Sequence, residues 1–391
     1  VTLAALPLDG IVVVACEQAV AAPFATRQLA DLGARVIKVE RPGRGDFARD
    51  YDTTVHGLSS HFVWLNRSKE SVALDLKDPG DHDRLLALVD GADVFVQNLA
   101  PGAAERLGIG PDTLRAGRPR LVSCSVSGYG AGGDLEDAKA YDALVQAEAG
   151  VISVTGTPEA PAKAGIPVAD IAAGMYAFSG ILAALYRRER TGEGTHLEVS
   201  LFDSLVEWMG HPMYYALYGG TAPLRSGTSH AAIAPYGAFT AGDGTTFMLS
   251  VQNEREWRDF CRVVLGDATV ATDERFLGVS RRVEHRDVLH ATIDAVLHKL
   301  TGSDLEDRLR DGRIAHSRLR DVTELATHPQ LAQRDRWRTV DTPAGPVAAL
   351  LPPVTLTGTA APRMDPVPAL GEHQHLVEPG RRDGRRPRRR E

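Results

Sequence analysis

Asp170 heads the segment PVADIAAGMYAFSGILAALYRRERTGEG (167–194), and no further acidic residue follows until Glu189. A carboxylate beside so many small apolar side chains is costly unless something compensates it. Two readings fit these residues. As a helix N-cap, Asp170 would stabilise the helix by ~1 kcal/mol. As a nucleophile, it would be presented on a helix N-terminus, whose dipole keeps a carboxylate ionised. The turn that follows, Ala172, Ala173 and Gly174, is bare and leaves room for a large group to approach.

Cations form a second constellation. Arg41 follows VIKVE, Lys77 follows VALDL, Arg106 comes just after NLAPG, and Lys139 precedes AYDALVQAEAG. Each alone reads as a solvated side chain. Together they fall where a parallel sheet presents its ligand-facing rim, and a multiply phosphorylated ligand needs several cations. Other chemistries lack their motifs. There is no GxxxxGK[ST], GxSxG or HExxH, and SGYGAGG (127–133) does not have GxGxxG spacing. The RGD at 44–46 reads as a chance tripeptide. Cys16, Cys124 and Cys261 are far apart and odd in number, so neither a disulfide framework nor a metal site is expected. A reducing cytoplasm fits them.

The elements that must position these groups follow from periodicity. IVVVA (11–15), RVIKVE (35–40), SVALDL (71–76), DVFVQN (93–98) and LVSCSVSG (121–128) read as strands. PFATRQLADLGA (23–34) and 79–89 read as helices between them. Continuous apolar strands alternating with helices imply an α/β fold, a Rossmann-like parallel sheet covered by helices. Ligands of such sheets sit outside the carboxyl ends of the strands. Ile171, Met175, Phe178, Leu182 and Leu185 place an apolar stripe on a helix over 170–190. THLEVSLFDSLVEW (195–208) reads as a short strand and then a helix. The Gly-, Pro- and Ser-rich stretch 219–245 reads as a boundary or functional loop, and FMLSV (247–251) as a strand of a smaller α+β domain.

The expected organisation is a large domain over 1–200, a linker over 201–224 and a small domain over 225–315. A linker and return to the large domain follow over 316–375, then a basic tail over 376–391. That tail, with RRDGRRPRRRE, could attract nucleic acid or membrane, but its composition is that of a solvated, disordered end. A net charge of −7 argues against a dedicated nucleic-acid binder. The first residues have no positive n-region, and no membrane span is expected.

Several segments together resemble the class III CoA-transferases, of the formyl-CoA transferase type. They are LADLGARVIKVERPGRGD, LNRSKESVALDLK, VFVQNLAPGAAERLG, SVSGYG, AYDALVQAEAGVISVTG, DIAAGMYAFSGILAALYRRERTGEG and EVSLFDSLVEW. The resemblance runs from about Leu8 to about Gly371. It implies that Asp170 is the catalytic nucleophile and that coenzyme A, carried as an acyl-CoA substrate, is bound without a metal. The CoA contacts it implies fall on Gln18, Ala21, Arg41, Leu74, Lys77, Asn98, Leu99, Arg106 and Lys139. It also implies an interlocked homodimer. The same fold carries 2-methylacyl-CoA racemases, which are similar around the Asp but have His where this chain has Tyr141. Racemisation needs an acid–base pair, and a phenol with a pKa near ~10 is a poor neutral-pH base. Tyr141 therefore favours transfer. EWMGHPMYYALYGG (207–220) resembles members acting on C4–C5 dicarboxylates. RSGTSHAAIAPYG replaces a Gly-run loop, so Arg225 and His230 are candidates to meet an acceptor's distal carboxylate; equally, His230 could only pin the loop. The resemblance implies transfer of CoA from an acyl-CoA such as succinyl-CoA to a carboxylic acid. A racemase and a non-catalytic CoA-binding protein remain the alternatives.

Overall fold

The computed structural model describes residues 5–378. The chain divides into two compact units. The first takes residues up to Gly150, Ala164–Gly210 and the chain from Leu331 onward; the second takes Val151–Lys163 and His211–Gln330. The second unit thus starts earlier than the small domain expected at 225 and runs past 315, and it includes an upstream segment.

Six strands make the sheet of the first unit: β1 (Val12–Cys16), β2 (Arg35–Glu40), β3 (Lys69–Ala73), β4 (Val94–Gln97), β5 (Val122–Ser127) and β6 (His196–Ser200). All neighbouring pairs are parallel, in the order β3-β2-β1-β4-β5-β6. The order reverses between β1 and β4, and a doubly wound sheet opens its binding crevice at that switch point. Val14, Ile37, Val72 and Phe95 pack with Leu85 and Val89 of the helix Pro79–Asp90 to form the core on one face. Continuous β-branched runs suit strands buried on both faces.

The helix Ala21–Asp31 packs on the long helix Val168–Thr191. Ala172, Ala173 and Gly174 are fully buried there, and a Cβ at Gly174 would stand 2.7 Å from the Ala21 carbonyl oxygen. The bare turn therefore serves close helix packing, which corrects its reading as an opening for a ligand. The long helix is also apolar enough, by length and composition, to cross a membrane. This departs from the expectation that no segment would be. Here its Ala169, Ala177, Ile181 and Leu185 are buried inside the unit.

The C-terminal chain covers the open edge of β3. The Ser71 N–H donates to Nδ1 of His373 (3.2 Å), the His373 N–H donates to the Ser71 carbonyl (2.9 Å), and the Ala73 N–H donates to Oε1 of Gln374 (2.9 Å). Leu376 and Val377 pack on the same core, so the expected tail does not begin at 376; residues 379–391 lie outside the described residues. In the second unit β7 (Tyr236–Thr240), β8 (Thr246–Ser250) and β9 (Ala315–Arg318) form an antiparallel sheet. It packs on helices around Trp257, Phe260, Phe276 and Ile293. β7 lies inside the stretch read as a loop. The hairpin of β10 (Trp337–Val340) and β11 (Val347–Leu350) belongs to the first unit.

Candidate active site

Asp170 is the third residue of the long helix, not its cap: Pro167 holds the cap position, and no side chain at that position caps the helix. Asp142 takes that work from 28 residues upstream. Its Oδ1 accepts from the N–H of Ala169 (2.7 Å) and of Asp170 (3.4 Å). Asp142 is itself fixed, because its Oδ2 accepts from Nε2 of the buried Gln146 (2.6 Å), whose Oε1 accepts from the Ala164 N–H (2.8 Å). The Asp170 carboxyl is thereby left without a capping duty. Burial, and then the charge of Asp142, push its pKa up to about 7. The expectation that the helix end keeps it fully ionised is corrected: desolvation and a like charge outweigh the dipole. Near neutral pH a large fraction remains a desolvated carboxylate, the nucleophilic form.

Tyr51 lies in the field of that carboxyl. Burial, then the charges of Asp46, Asp170 and Tyr141, push its phenol up to about 12, so it stays an O–H donor. Its ring meets His61 edge-on at 5.3 Å and leans on Phe47 at 5.7 Å. Tyr141 stands at the head of the helix Asp142–Glu148 and is 63% exposed.

At the carboxyl ends of β1, β2 and β4 lies an open cleft of about 150 Å³. Five of the expected CoA contacts, Gln18, Arg41, Leu74, Lys77 and Leu99, line it. Arg41 and Lys77 are exposed and make no ion pair among the described residues, which leaves both charges available at the rim. Asn98 acts on the loop instead. Its Oδ1 accepts from the Gln18 N–H and its Nδ2 donates to the Gln18 carbonyl, both at 2.8 Å. Ala21 is buried at the start of its helix. Arg106 donates to the Pro101 carbonyl (3.2 Å), and neither it nor the exposed Lys139 lines the cleft.

The cleft floor is charged. Glu17, Glu40 and Asp46 line it, Glu17 and Asp46 are held by buried lysines, and Glu40 is held by the partly buried Arg49. Lys69 Nζ donates to Glu17 Oε1 (2.6 Å), Lys38 Nζ donates to Asp46 Oδ2 (2.8 Å), and Arg49 makes two hydrogen bonds to Glu40 (2.7 and 2.8 Å). Burial works against the Glu40 charge, but Arg49 and Lys38 bring its pKa down to about 2. Sequence reasoning missed Asp46, Asp142, Tyr51, Lys38 and Lys69. One local signal was present: Asp46 accepts from the Ala48 N–H two residues on (2.9 Å), the turn chemistry that an Asp after glycine favours.

The two remaining candidates lie in the second unit. All three terminal nitrogens of Arg225 are engaged by backbone carbonyls: Nε by Thr157 (2.9 Å), Nη2 by Pro158 (3.1 Å) and Nη1 by Ser153 (3.4 Å). The His230 ring stacks on Tyr236 at 5.1 Å, its Nδ1 accepts from the Ala232 N–H (3.1 Å), and its carbonyl accepts from Arg286 (2.8 Å). Among the described residues no group of three His, Cys, Asp or Glu is placed to hold a metal ion.

Comparison with known proteins accounts for the arrangement. The model of CoA-transferase family III matches residues 8–374. The acetyl-CoA:oxalate CoA-transferase of Acetobacter aceti is 38% identical over 331 residues, 84% of this chain and 85% of that protein. The succinate–glutarate CoA-transferase of Agrobacterium fabrum is 33% identical over 380 residues, 95% of this chain and 94% of that one. Among solved structures, a CAIB/BAIF family protein from Brucella suis superimposes with a TM-score of 0.85 at 31% identity, covering 95% of this chain and 98% of that one. The match over nearly the whole chain, with relatives above 30% identity, shows that this chain belongs to the family III CoA-transferases.

Proposed function

We propose that the protein transfers CoA from an acyl-CoA donor of the succinyl-CoA type to a C4–C5 dicarboxylate through an aspartyl-CoA thioester on Asp170. The observation that carries this reading is a half-buried carboxyl, free of capping duty and with its pKa raised to about 7, in the same unit as the cation-rimmed cleft. A carboxylate oxygen of Asp170 attacks the thioester carbonyl, the carbon–sulfur bond breaks, and CoA leaves as the thiolate. The resulting mixed anhydride is attacked at the Asp170 carbonyl by that thiolate, which frees the donor acid and leaves the aspartyl-CoA thioester. The acceptor carboxylate attacks this thioester and again expels the thiolate. The thiolate then takes the new acyl group from the second anhydride and returns Asp170 as carboxylate. Splitting the exchange in this way replaces one difficult step by easier ones. Water must be kept out, because an anhydride hydrolyses. The Tyr51 hydroxyl, still protonated at working pH, is a donor available to an oxyanion beside Asp170.

The relatives support the donor and acceptor class by the activities they are named for, which pair succinyl-CoA with glutarate, mesaconate or citramalate and acetyl-CoA with oxalate. A homodimer belongs to the same proposal. The helix Gly210–Gly219 buries none of its residues, and Tyr214, Leu217 and Tyr218 are 66%, 72% and 82% exposed. An apolar helix in that condition is suited to burial against a second copy. Mass-spectrometric assay of succinyl-CoA against C2–C6 dicarboxylates should give succinate and a new CoA ester with at least one C4–C5 acid. Solvent-deuterium uptake at the α-carbon of a 2-methylacyl-CoA without an acceptor would favour racemisation instead. CoA binding without turnover on any acid would leave only a binding protein.

A further inference from the structure

Ala19 has φ of +61°, a left-handed conformation that residues with a Cβ adopt only when something holds them there. Asp46 holds it. One oxygen of Asp46, Oδ1, accepts from the Ala19 N–H (3.0 Å) and also from the Ala48 N–H (2.9 Å). The other, Oδ2, is fixed by the fully buried Lys38 (2.8 Å), and the Asp46 N–H donates to Glu40 (3.0 Å). Asp46 is 1% exposed, and Lys38 is 0% exposed. The two N–H groups that Oδ1 holds belong to two different segments. The Ala19 turn follows Gln18, whose other side is clamped by Asn98, and Gln18 lines the cleft. Ala48 belongs to the short turn Phe47–Asp50, which Asp46 caps and which ends at Tyr51, whose phenol feels the charge of Asp170.

We infer that Asp46 is a positioning residue: its buried carboxylate sets the Gln18–Ala19 loop against the CoA cleft and fixes the turn Phe47–Asp50 that leads to Tyr51. The inference rests on the reading of the cleft as a CoA site. Asp46 touches no ligand in this account; it acts through Ala19 and Ala48. A charged hub is required because two N–H donors and an ammonium must be satisfied at once, and an ionised carboxylate can accept from all three.

The test measures the affinity of the full-length protein for free CoA by titration calorimetry, with unfolding in urea followed in parallel. Asp46→Asn should weaken CoA binding about tenfold or more. Adding Ala19→Gly to Asp46→Asn should recover most of that loss, because glycine takes a left-handed turn without a clamp. A purely structural Asp46 would lower the urea midpoint and give no such recovery. If Asp46→Asn does not fold, Ala19→Val carries the same test from the other side. A β-branched residue at this φ must move the loop while the buried charges stay intact, so it should weaken CoA binding comparably. Asp46→Asn or Ala19→Val binding CoA as tightly as the parent overturns the inference and leaves the CoA reading standing. A parent protein that binds no CoA overturns both.

Discussion

Beneath the cleft of the first unit, Glu17, Lys38, Asp46 and Lys69 are all buried, and all are paired. The core of the second unit, around Trp257, Phe260 and Phe276, is apolar, with Arg282 as the one cation buried among these rings in the described residues. Arg282 is satisfied by the carbonyls of Ala234 (2.9 Å) and Phe276 (3.1 Å), by Glu254 (2.7 Å), and by stacking on Trp257 at 5.0 Å. Its carboxylate partner is half exposed, whereas those under the cleft are not. Buried ion clusters are a poor way to gain stability, since desolvation offsets most of the attraction. An apolar core serves stability better, and the second unit uses one. The first unit keeps its charges for geometry: they fix loops at the sheet's carboxyl end.

The largest effect should fall on chemistry and in the first unit only. Asp170→Ala should lower transfer by at least ~10³-fold in a steady-state assay, as expected when a covalent nucleophile is removed. Arg282→Met, in the second unit, should leave transfer within a few-fold of the parent. Next come the buried pairs. Lys69→Met strands the fully buried Glu17 and should cost about 3–5 kcal/mol in urea unfolding. Arg282→Met leaves Glu254 able to reach water and should cost less, about 1–3 kcal/mol. The opposite order would break the contrast between the two units.

Asp170 supplies a pH signature. Its carboxyl binds protons more tightly folded than unfolded, so between pH ~4 and ~7 the native state holds the extra proton and stability falls as pH rises; above ~7 the cost is complete. Asp170→Asn has no such group. Its stability should exceed that of the parent by up to roughly 4 kcal/mol at pH 8, with the gap closing below pH ~4. Parallel curves for the two proteins would contradict the burial of this carboxyl. The smallest effects belong to the rim. Arg41→Ala and Lys77→Ala should each weaken CoA binding about 3–10-fold, less so at high salt, because exposed cations act through screened attraction.

Much of the fold was legible. Strand β2 matches RVIKVE residue for residue, and the long helix lies within two residues of its expected start and one of its end, because continuous apolar runs and helical spacing are local signals. The cation rim was legible in part: Arg41 and Lys77 line the cleft, while Arg106 and Lys139 do not. What escaped depends on contacts between distant residues. Asp142 caps a helix 26 residues downstream, so Asp170 was given a capping role it does not have. Asp46 meets Ala19 from 27 residues away, and the RGD that contains it carries no local sign of burial. Lys38 and Lys69 stand in strands where a lysine ordinarily points to water; only the assembled cluster shows what they neutralise.

The central claim is that Asp170 carries the acyl group and then CoA. Hydroxylamine attacks an aspartyl thioester or anhydride at the Asp carbonyl, expels the thiolate or the acid, and leaves a hydroxamate. The protein should be mixed with succinyl-CoA, quenched with hydroxylamine, digested and read by tandem mass spectrometry. A hydroxamate should appear on Asp170 and form only with the acyl-CoA present. Turnover with no modification at Asp170, or with the hydroxamate on another residue, would contradict it.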